Sequence, residues 1–269
     1  MEAKTSDLSL PSDTKSSISK PSTSTPLSSA TRNRDFLFHL EAYLAKRDGV
    51  DKVLKIARYA SKIILASSAL PETHSLSQRL KSFDSSVGVS RKAFRLGKFV
   101  QDINALRTTR FNSSNRRHVL LGLIAYGGEG LYYFVEQFIW LAKAGLIDPK
   151  HSRNFQKISA WAEFVGFIGS ISLKIDDVKK LNKEKACFDS NVEITAAKGA
   201  KCYAQVERER ALGKKIVMKK LSIVQDLADG LMALADIRDG KGRFSSPLML
   251  SCAGLLSALI STHKNWVSC

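Results

Sequence analysis

The sequence has little proline and little cysteine. Three of its six prolines lie within the first 26 residues, so the remaining chain is free to form long helices, which proline would interrupt. The cysteines form no CxxC pair, and no histidine stands at metal-ligand spacing from any of them. The sequence therefore argues against a zinc site and against a disulfide framework. We expect free thiols at all four cysteines, which are Cys187, Cys202, Cys252 and Cys269.

The motifs of common enzyme classes are missing as well. No Gly-rich loop precedes a Lys-Ser or Lys-Thr pair, so the chain has no P-loop. The Gly-Gly-Glu-Gly run at 127–130 is no dinucleotide fingerprint, because it lies within a predicted helix that follows no strand. The five histidines are scattered singly. We therefore predict no catalytic residue, no cofactor and no metal, and we expect that the protein is not an enzyme.

Positive charge dominates the chain. Lys and Arg number 42 against 25 Asp and Glu, which gives a net charge of +17. Such an excess implies an anionic partner, and charge alone leaves open whether this is nucleic acid or an anionic membrane face. The basic residues share helices with apolar stripes, which a face that binds nucleic acid usually lacks. The shared helices therefore favour anionic membrane lipids as the partner over nucleic acid. Nucleic-acid binding, the alternative, would predict a soluble protein.

Composition and apolar periodicity predict an all-α, membrane-associated protein with amphipathic helices and one to three membrane-embedded helices. Residues 1–31 contain ten Ser, five Thr and three Pro, a composition that cannot bury a core. Five regions are predicted: a disordered Ser/Thr-rich tail (1–33), an N-terminal amphipathic helical region (34–110), a membrane-associated helical pair (111–175), a charged loop (176–215), and a C-terminal amphipathic helix with a membrane anchor (216–269).

The segment 89–107 is predicted to form one amphipathic helix. At 100° per residue its apolar side chains, except Phe94 on the polar side, fall within an arc of roughly 140°, and most basic side chains lie opposite. We predict that the basic residues approach anionic head groups while the apolar ones wedge into one leaflet, which favours curvature. The alternative is that the apolar face packs within a helical bundle. The predicted membrane-binding residues are Arg91, Lys92, Arg95, Leu96, Lys98, Phe99, Val100, Ile103 and Leu106.

Three apolar segments are candidates for membrane-embedded helices. The segment 119–142 is long enough to span a bilayer, but Glu129 and Glu136 would make a lone, lipid-exposed span costly. The segment 158–175 contains Glu163 and Lys174 as its charged residues. The segment that begins at Phe244 holds nineteen residues without a charge and is the best single transmembrane candidate.

The segment 158–175 also carries a stripe of small residues four apart, Ala162, Gly166 and Ser170. Such a stripe lets helices pack closely in lipid, and we predict that these residues form a helix-packing face. The alternative is a core helix of a soluble protein. The three glutamates of these segments, Glu129, Glu136 and Glu163, either line a polar pathway or pair with basic residues of neighbouring helices.

Long strings in the sequence match a known family. Residues 91–99 read Arg-Lys-Ala-Phe-Arg-Leu-Gly-Lys-Phe, which fits the family core Arg-Lys-x-Phe-Arg-x-Gly-Lys-Phe. Further matching strings are LAKRDGVDKVLKIARYASKIILASS (44–68), SSVGVSRKAFRLGKFVQDINALR (85–107), YGGEGLYYFVEQFIWLAKAGLID (126–148) and QDLADGLMALADIRDGKG (225–242). On these strings the chain, from about position 34 to its end, resembles the peroxin-11 family of peroxisomal membrane proteins, and within it the plant A-type branch.

The resemblance implies a location in the peroxisomal membrane and a role in peroxisome proliferation. In that role the membrane elongates into a tubule and then divides with help from a fission machinery. The resemblance also implies self-association into a homo-oligomer, and it implies that the segment 91–106 remodels the membrane. A pore for small metabolites in the peroxisomal membrane is the alternative function that the family suggests.

Overall fold

A computed structural model describes residues 36–67, 71, 73–112, 115–196, 203–242 and 245–269. Within this part the chain is helical almost throughout and contains no strand, so the predicted all-α class is confirmed. The predicted tail 1–33 lies outside the described residues. The helices are α1 (Phe36–Leu44), α2 (Arg47–Ala66), α3 (Ser75–Phe94), α4 (Phe99–Asn112), α5 (Arg116–Lys143), α6 (Ser152–Ala196), α7 (Tyr203–Ile237) and α8 (Pro247–Val267), and a short 3-10 turn (Pro149–His151) precedes α6.

Glycines allow the closest helix packing in the bundle. A Cβ atom added to Gly128 of α5 would lie 2.6 Å from the backbone nitrogen of Gly166 of α6, so the two backbones touch at this point. Helices α2 and α8 also pack closely, since a Cβ on Gly254 of α8 would lie 2.2 Å from the ring of Tyr59 of α2. Helix α6 also packs against α7, and α3 packs against both α2 and α5. Helices from across the chain therefore surround one interior.

The predicted helix 89–107 is wrong in its continuity. Helix α3 ends at Phe94, and four residues form a turn before α4 starts at Phe99. Gly97 in this turn has a φ of +73°, a left-handed conformation that glycine adopts without the cost a Cβ would bring. Because α3 and α4 are separate helices, the basic and apolar residues of the segment no longer share one helical wheel.

The predicted charged loop 176–215 is also wrong over the residues that the structure describes. Helix α6 continues to Ala196, and α7 begins at Tyr203. The segment lacks an apolar period because much of it is solvent-exposed, but lysine, glutamate and alanine still favour helix. An ion pair ties the two helices together, with Nζ of Lys219 2.6 Å from Oδ2 of Asp177.

Large apolar side chains lie on the outer surface of α5 to α8, and many charged side chains lie inside the bundle. Soluble proteins rarely expose large continuous apolar surface, whereas every one of α5 to α8 exposes several large apolar side chains. Those side chains are Leu120, Leu123, Leu131 and Phe134 of α5, Ile158, Trp161, Val165 and Ile168 of α6, Val217, Val224 and Leu227 of α7, and Leu248, Leu256 and Leu259 of α8. Such a distribution is typical of a helical protein that is surrounded by lipid.

One helical stretch among the described residues, Pro149–Phe188, is long and apolar enough to cross a membrane. Of its most apolar window, 33% is buried inside the bundle, which argues against a core helix of a soluble protein. The segment from Phe244, which the sequence ranks higher, begins at a residue outside the described part of the chain, so that ranking stays a prediction. Helix α8, the described helix of that segment, carries the buried hydroxyls of Ser251, Ser257 and Ser261.

Candidate functional site

The helices enclose a charged cavity of about 1040 Å³. Residues from α2, α3, α5, α6, α7 and α8 line it. Twelve lining residues are Lys or Arg and eight are Asp or Glu, which leaves a formal excess of four positive charges. The basic lining residues are Lys52, Lys55, Arg58, Arg91, Lys92, Arg95, Lys98, Lys143, Arg153, Lys157, Lys174 and Lys264. A cavity of this kind attracts anions and excludes apolar solutes.

Asp51 of α2 is the deepest carboxylate of the site and is 2% exposed. Nε of Arg91 donates a hydrogen bond to its Oδ1 at 2.9 Å, and Nε of Arg95 lies 3.6 Å from the same oxygen. Nζ of Lys52 lies 3.4 Å from Oδ2. Burial alone would raise the pKa of Asp51, but the charges of Arg95, Arg91 and Lys52 outweigh burial and hold this pKa well below its ordinary value. Asp51 is therefore ionised in the folded protein and joins α2 to α3.

Glu136 of α5 pairs with basic residues at the end of α3 and in the turn that follows it. Lys92 pairs with its Oε1, and Nη1 of Arg95 lies 3.3 Å from its Oε2. The same Nη1 donates a hydrogen bond to the hydroxyl of Tyr132 at 2.7 Å. Glu136 thus pairs with basic residues of a neighbouring helix, which was one of the two alternatives, and it also lines the cavity together with Glu129 and Glu163.

A triangle of polar groups joins α2, α7 and α8. Nζ of Lys55 donates to Oδ1 of Asp229 at 2.9 Å and to Oγ of Ser257 at 2.6 Å. Oγ of Ser257 in turn donates to Oδ2 of Asp229 at 2.7 Å. Since a buried polar group is costly when it has no partner, this closed arrangement stabilises the interior and fixes the position of the Lys55 ammonium in the cavity wall.

The predicted helix-packing stripe of α6 is divided between two neighbours. Ala162 and Gly166 meet the backbone of α5 at Gly128. Ser170 instead faces α7, where its hydroxyl donates to Oδ2 of Asp226 at 2.8 Å. The stripe therefore packs one helix at its start and supplies a polar contact at its end.

Comparison with known proteins identifies the chain. The family model of Peroxisomal biogenesis factor 11 (PEX11) matches residues 37–266. The chain belongs to this family. It is 66% identical over 238 residues to Peroxisomal membrane protein 11A of Arabidopsis thaliana, which covers 88% of this chain and 95% of the relative. It is 52% identical over 236 residues to Peroxisomal membrane protein 11-3 of Oryza sativa subsp. japonica, with 88% and 91% covered.

A more distant relative, Peroxisomal membrane protein 11B of Arabidopsis thaliana, is 32% identical over 237 residues, with 87% of this chain and 99% of the relative covered. No solved structure matches the chain. The resemblance read from the sequence is thus confirmed, and the predicted location is confirmed with it. The protein is a peroxisomal membrane protein and a peroxisome biogenesis factor of the Peroxisomal biogenesis factor 11 family.

The family core at 91–99 lies in a different place from the one we predicted for it. All four of its basic residues, Arg91, Lys92, Arg95 and Lys98, line the cavity and pair with carboxylates, and their contact with lipid head groups stays a prediction. The physical reason is that Asp48, Asp51 and Glu136 approach from α2 and α5, which a wheel drawn for one helix cannot represent.

The apolar residues of the predicted wedge separate into two sets. Val100 and Ile103 are 47% and 49% exposed on α4. Phe99 and Leu106 face α5, since the ring of Phe99 lies 5.5 Å from that of Phe134 and Leu106 adjoins Gly127. Leu96 lies half-buried in the turn between α3 and α4.

The sequence interpretation missed several residues of the site, namely Asp51, Lys52, Lys55, Tyr132, Asp229 and Ser257. One signal was available in α2, where Lys52, Lys55 and Arg58 share a face opposite an apolar stripe. In a soluble protein this polar face would meet water. In this bundle it faces inwards, and Val53 and Ile64 of the apolar stripe are exposed.

Proposed function

We propose that the chain promotes peroxisome proliferation by binding the peroxisomal membrane, elongating it into tubules and preparing it for fission. The observation that carries this proposal is the outward position of Val100 and Ile103, which leaves about half of each side chain exposed. These residues lie on α4, which flanks a bundle that is itself apolar on the outside. We propose no catalytic step, because shape and apolar surface alone can bend a membrane.

Helix α4 lies antiparallel along α5. Thr109 adjoins Gly122, Leu106 adjoins Gly127, Asp102 adjoins Gly130, and the ring of Phe99 contacts that of Phe134. These contacts hold one side of α4 against the bundle and leave the opposite side free. A short helix in this position adds volume to one leaflet beside the embedded bundle.

Adding volume to one leaflet favours curvature. Transferring the exposed parts of Val100 and Ile103 from water to lipid stabilises the inserted state by roughly 1 kcal/mol for each side chain. Many copies side by side would bias a flat membrane towards a tube, so self-association into a homo-oligomer belongs to the proposal. The tube is then the substrate for a fission machinery.

The contact with anionic lipids is assigned to basic residues other than those of the family core. Arg107 near the end of α4 and Arg116 and Arg117 at the start of α5 are exposed. Each basic residue close to an anionic surface contributes about 1 kcal/mol. These arginines lie at the corner where α4 meets α5, so they would hold α4 at the level of the head groups.

The experiment compares two double variants of the full chain in peroxisomes and on vesicles. Val100→Glu with Ile103→Glu places two charges on the outward apolar face. Gln101→Glu with Asn104→Glu adds the same charge at exposed polar positions of the same helix. We expect the first variant to lose most peroxisome elongation and vesicle tubulation while its membrane level is unchanged, and we expect the control to act as the wild type. Equal elongation by both variants would contradict the proposal.

The charged cavity favours a second candidate function, a pathway for small polar metabolites across the membrane. A polar interior within an apolar exterior is the arrangement that such a pathway needs. Glu129, Glu136 and Glu163 all line the cavity. The test is conductance of the purified protein in a planar bilayer. The candidate fails if no conductance is seen, or if neutralising the three glutamates leaves the conductance unchanged.

A further inference from the structure

In one part of the cavity wall, basic side chains outnumber the carboxylates that lie close to them. We define the cationic cluster as Lys52, Arg91, Lys92, Arg95 and Lys98, all of which line the cavity. Its carboxylate partners are Asp48, Asp51 and Glu136. Five cations thus share three anions, which leaves two positive charges without a counter-charge of their own. Uncompensated charge in a partly buried site is costly.

Arg91 is a member of the cationic cluster that has an unpaired hydrogen-bond donor. The residue is 4% exposed, and its Nε is bound to Asp51. Over the described part of the chain, its Nη2 is buried and has no hydrogen-bond partner. A buried donor without a partner costs about 1–3 kcal/mol, and more when it belongs to a charged group. Because Arg91 lines the cavity, a shift of its guanidinium towards the cavity would let an anion there supply the missing acceptor.

Lys52 gives a second sign of crowded positive charge. Its ammonium lies on the same side of α2 as Asp48 and Lys55. Burial is the largest cause that lowers the pKa of Lys52; together with the neighbouring ammonium of Lys98 it brings this pKa to about 7, despite the carboxylate of Asp51. A bound anion would raise the pKa of Lys52 and so favour its charged ammonium form.

The aromatic residues beside the cluster complete a polar recess. The hydroxyl of Tyr132 accepts a hydrogen bond from Arg95. The ammonium of Lys98 lies 5.0 Å from the centre of the Tyr133 ring, so that ring holds the lysine over the cavity. Guanidinium groups with a free N–H edge and ammonium groups are the donors that phosphate prefers.

We propose that the cationic cluster binds the phosphate group of a soluble phosphorylated compound inside the cavity. A phosphate monoester carries nearly two negative charges at neutral pH, which matches the excess of two in the cluster. The cavity of about 1040 Å³ is much larger than one phosphate, so it has room for the organic part of the molecule. Charged residues line the cavity on several helices, which suits a water-soluble ligand better than a lipid acyl chain.

The test uses the full-length protein in nanodiscs of neutral phosphatidylcholine, with inorganic pyrophosphate as the probe. Titration calorimetry measures the affinity, and thermal unfolding with and without pyrophosphate gives an independent reading. We expect saturable binding and a raised unfolding temperature in the wild type. Absence of saturable binding by the folded protein would overturn the proposal.

Two lysine variants of the same helix separate the site from the general positive charge of the chain. Lys52→Gln removes a member of the cationic cluster without breaking the buried pair of Arg91 and Asp51. Lys62→Gln removes the same charge from α2 at a position that is not among the lining residues. We expect Lys52→Gln to weaken pyrophosphate binding by about tenfold or more, as the loss of one charge-assisted hydrogen bond would. Equal weakening by both variants would overturn the proposal, because it would mean nonspecific attraction.

A second arm distinguishes the two sources of phosphate. Nanodiscs that contain phosphatidic acid, without soluble phosphate, present the same group on a lipid. If Lys52→Gln changes stability only in these nanodiscs and pyrophosphate does not bind, the soluble ligand is refuted. The site is independent of membrane shaping, since Val100→Glu with Ile103→Glu should leave pyrophosphate binding unchanged. Failure of one proposal can therefore be told from failure of the other.

Discussion

Nε of Arg91 in α3 donates a hydrogen bond to Oδ1 of Asp51 in α2 at 2.9 Å, and both side chains are almost fully buried. The two residues lie 40 positions apart in the chain. Their pairing turns the basic residues of the family core towards the interior. The charged cavity depends on this relationship, because Arg95 and Lys52 gather around the same carboxylate.

Asp51→Asn should destabilise the protein by about 3–5 kcal/mol, the usual result of leaving a buried charge without its partner. The matched control is Asp84→Asn, since Asp84 accepts from Nε of Arg58 at 2.8 Å but about a quarter of each side chain is exposed. We expect the control to cost less than about 1 kcal/mol. Thermal unfolding of the full chain in detergent measures both, and equal losses would contradict the account.

The same carboxylate predicts how stability depends on pH. The pKa of Asp51 is lower in the folded than in the unfolded chain, so its pairing stabilises the fold above the ordinary value near 4. This contribution is lost as the pH falls towards the folded value. The free energy of unfolding should therefore decrease between about pH 5 and pH 2 in the wild type. Asp51→Asn should flatten that part of the profile, and an unchanged slope would count against the pairing.

Asp102 of α4 should give the opposite pH dependence. Burial and, to a lesser extent, the nearby carboxylate of Glu129 raise its pKa to about 7 against the opposing effect of Lys98. Because the folded pKa lies above the unfolded one, the contribution of Asp102 is most favourable at low pH and declines as the pH rises from about 4 to 7. We expect α4 to be held less firmly against α5 at pH 8 than at pH 5.5.

Hydrogen exchange of the α4 amides at the two pH values, corrected for intrinsic exchange rates, measures this loosening. Asp102→Asn should abolish the difference and stabilise the docked helix at pH 8 by on the order of 2 kcal/mol. Asp84→Asn, on α3, serves as the control and should leave the difference in α4 intact. If protection of α4 in the wild type is the same at pH 5.5 and pH 8, the expectation fails.

Two adjacent glycines of α5 should respond in opposite ways to alanine. A Cβ at Gly128 would lie 2.6 Å from the backbone of α6, and backbone cannot move aside cheaply, so we expect Gly128→Ala to cost about 1–3 kcal/mol. A Cβ at Gly127 would meet only Leu106, at 3.9 Å. Gly127→Ala should therefore be neutral or gain up to about 1 kcal/mol through helix propensity. Unfolding temperatures compare the pair, and a similar loss in both would argue against the close packing of α5 on α6.

The sequence was sufficient for features that depend on local pattern. The low proline content and the apolar periods predicted an all-α chain, and the glutamates at 129 and 136 indicated that α5 is not a lone span. The break between α3 and α4 was missed because one residue, Gly97, determines it through its left-handed φ. The helical form of 176–215 was missed because a solvated helix has no buried stripe to detect.

The cavity itself could not be predicted from the sequence. Lys55 and Asp229 form an ion pair although they are 174 positions apart in the chain, and no local sequence pattern predicts such a pair. The orientation of the basic face of α2 was also ambiguous from the sequence, since this face could contact water, lipid head groups or the interior of a bundle. The structure resolves this, because Val53 and Ile64 on the apolar face of α2 are exposed while Lys52, Lys55 and Arg58 line the cavity.

The exposed apolar side of the bundle should meet lipid and the cavity should meet water, and one measurement tests both directly. Ile168 and Ser170 are two residues apart in α6, so they lie at nearly the same depth, but Ile168 is 52% exposed outside while Ser170 lines the cavity. A nitroxide at Ile168→Cys or at Ser170→Cys, in a chain whose four native cysteines are replaced by serine, reports accessibility to oxygen and to a water-soluble nickel complex. We predict that oxygen relaxes the label at 168 more strongly and that the nickel complex relaxes the label at 170 more strongly. Equal accessibility at the two positions, or the reverse order, would contradict the account.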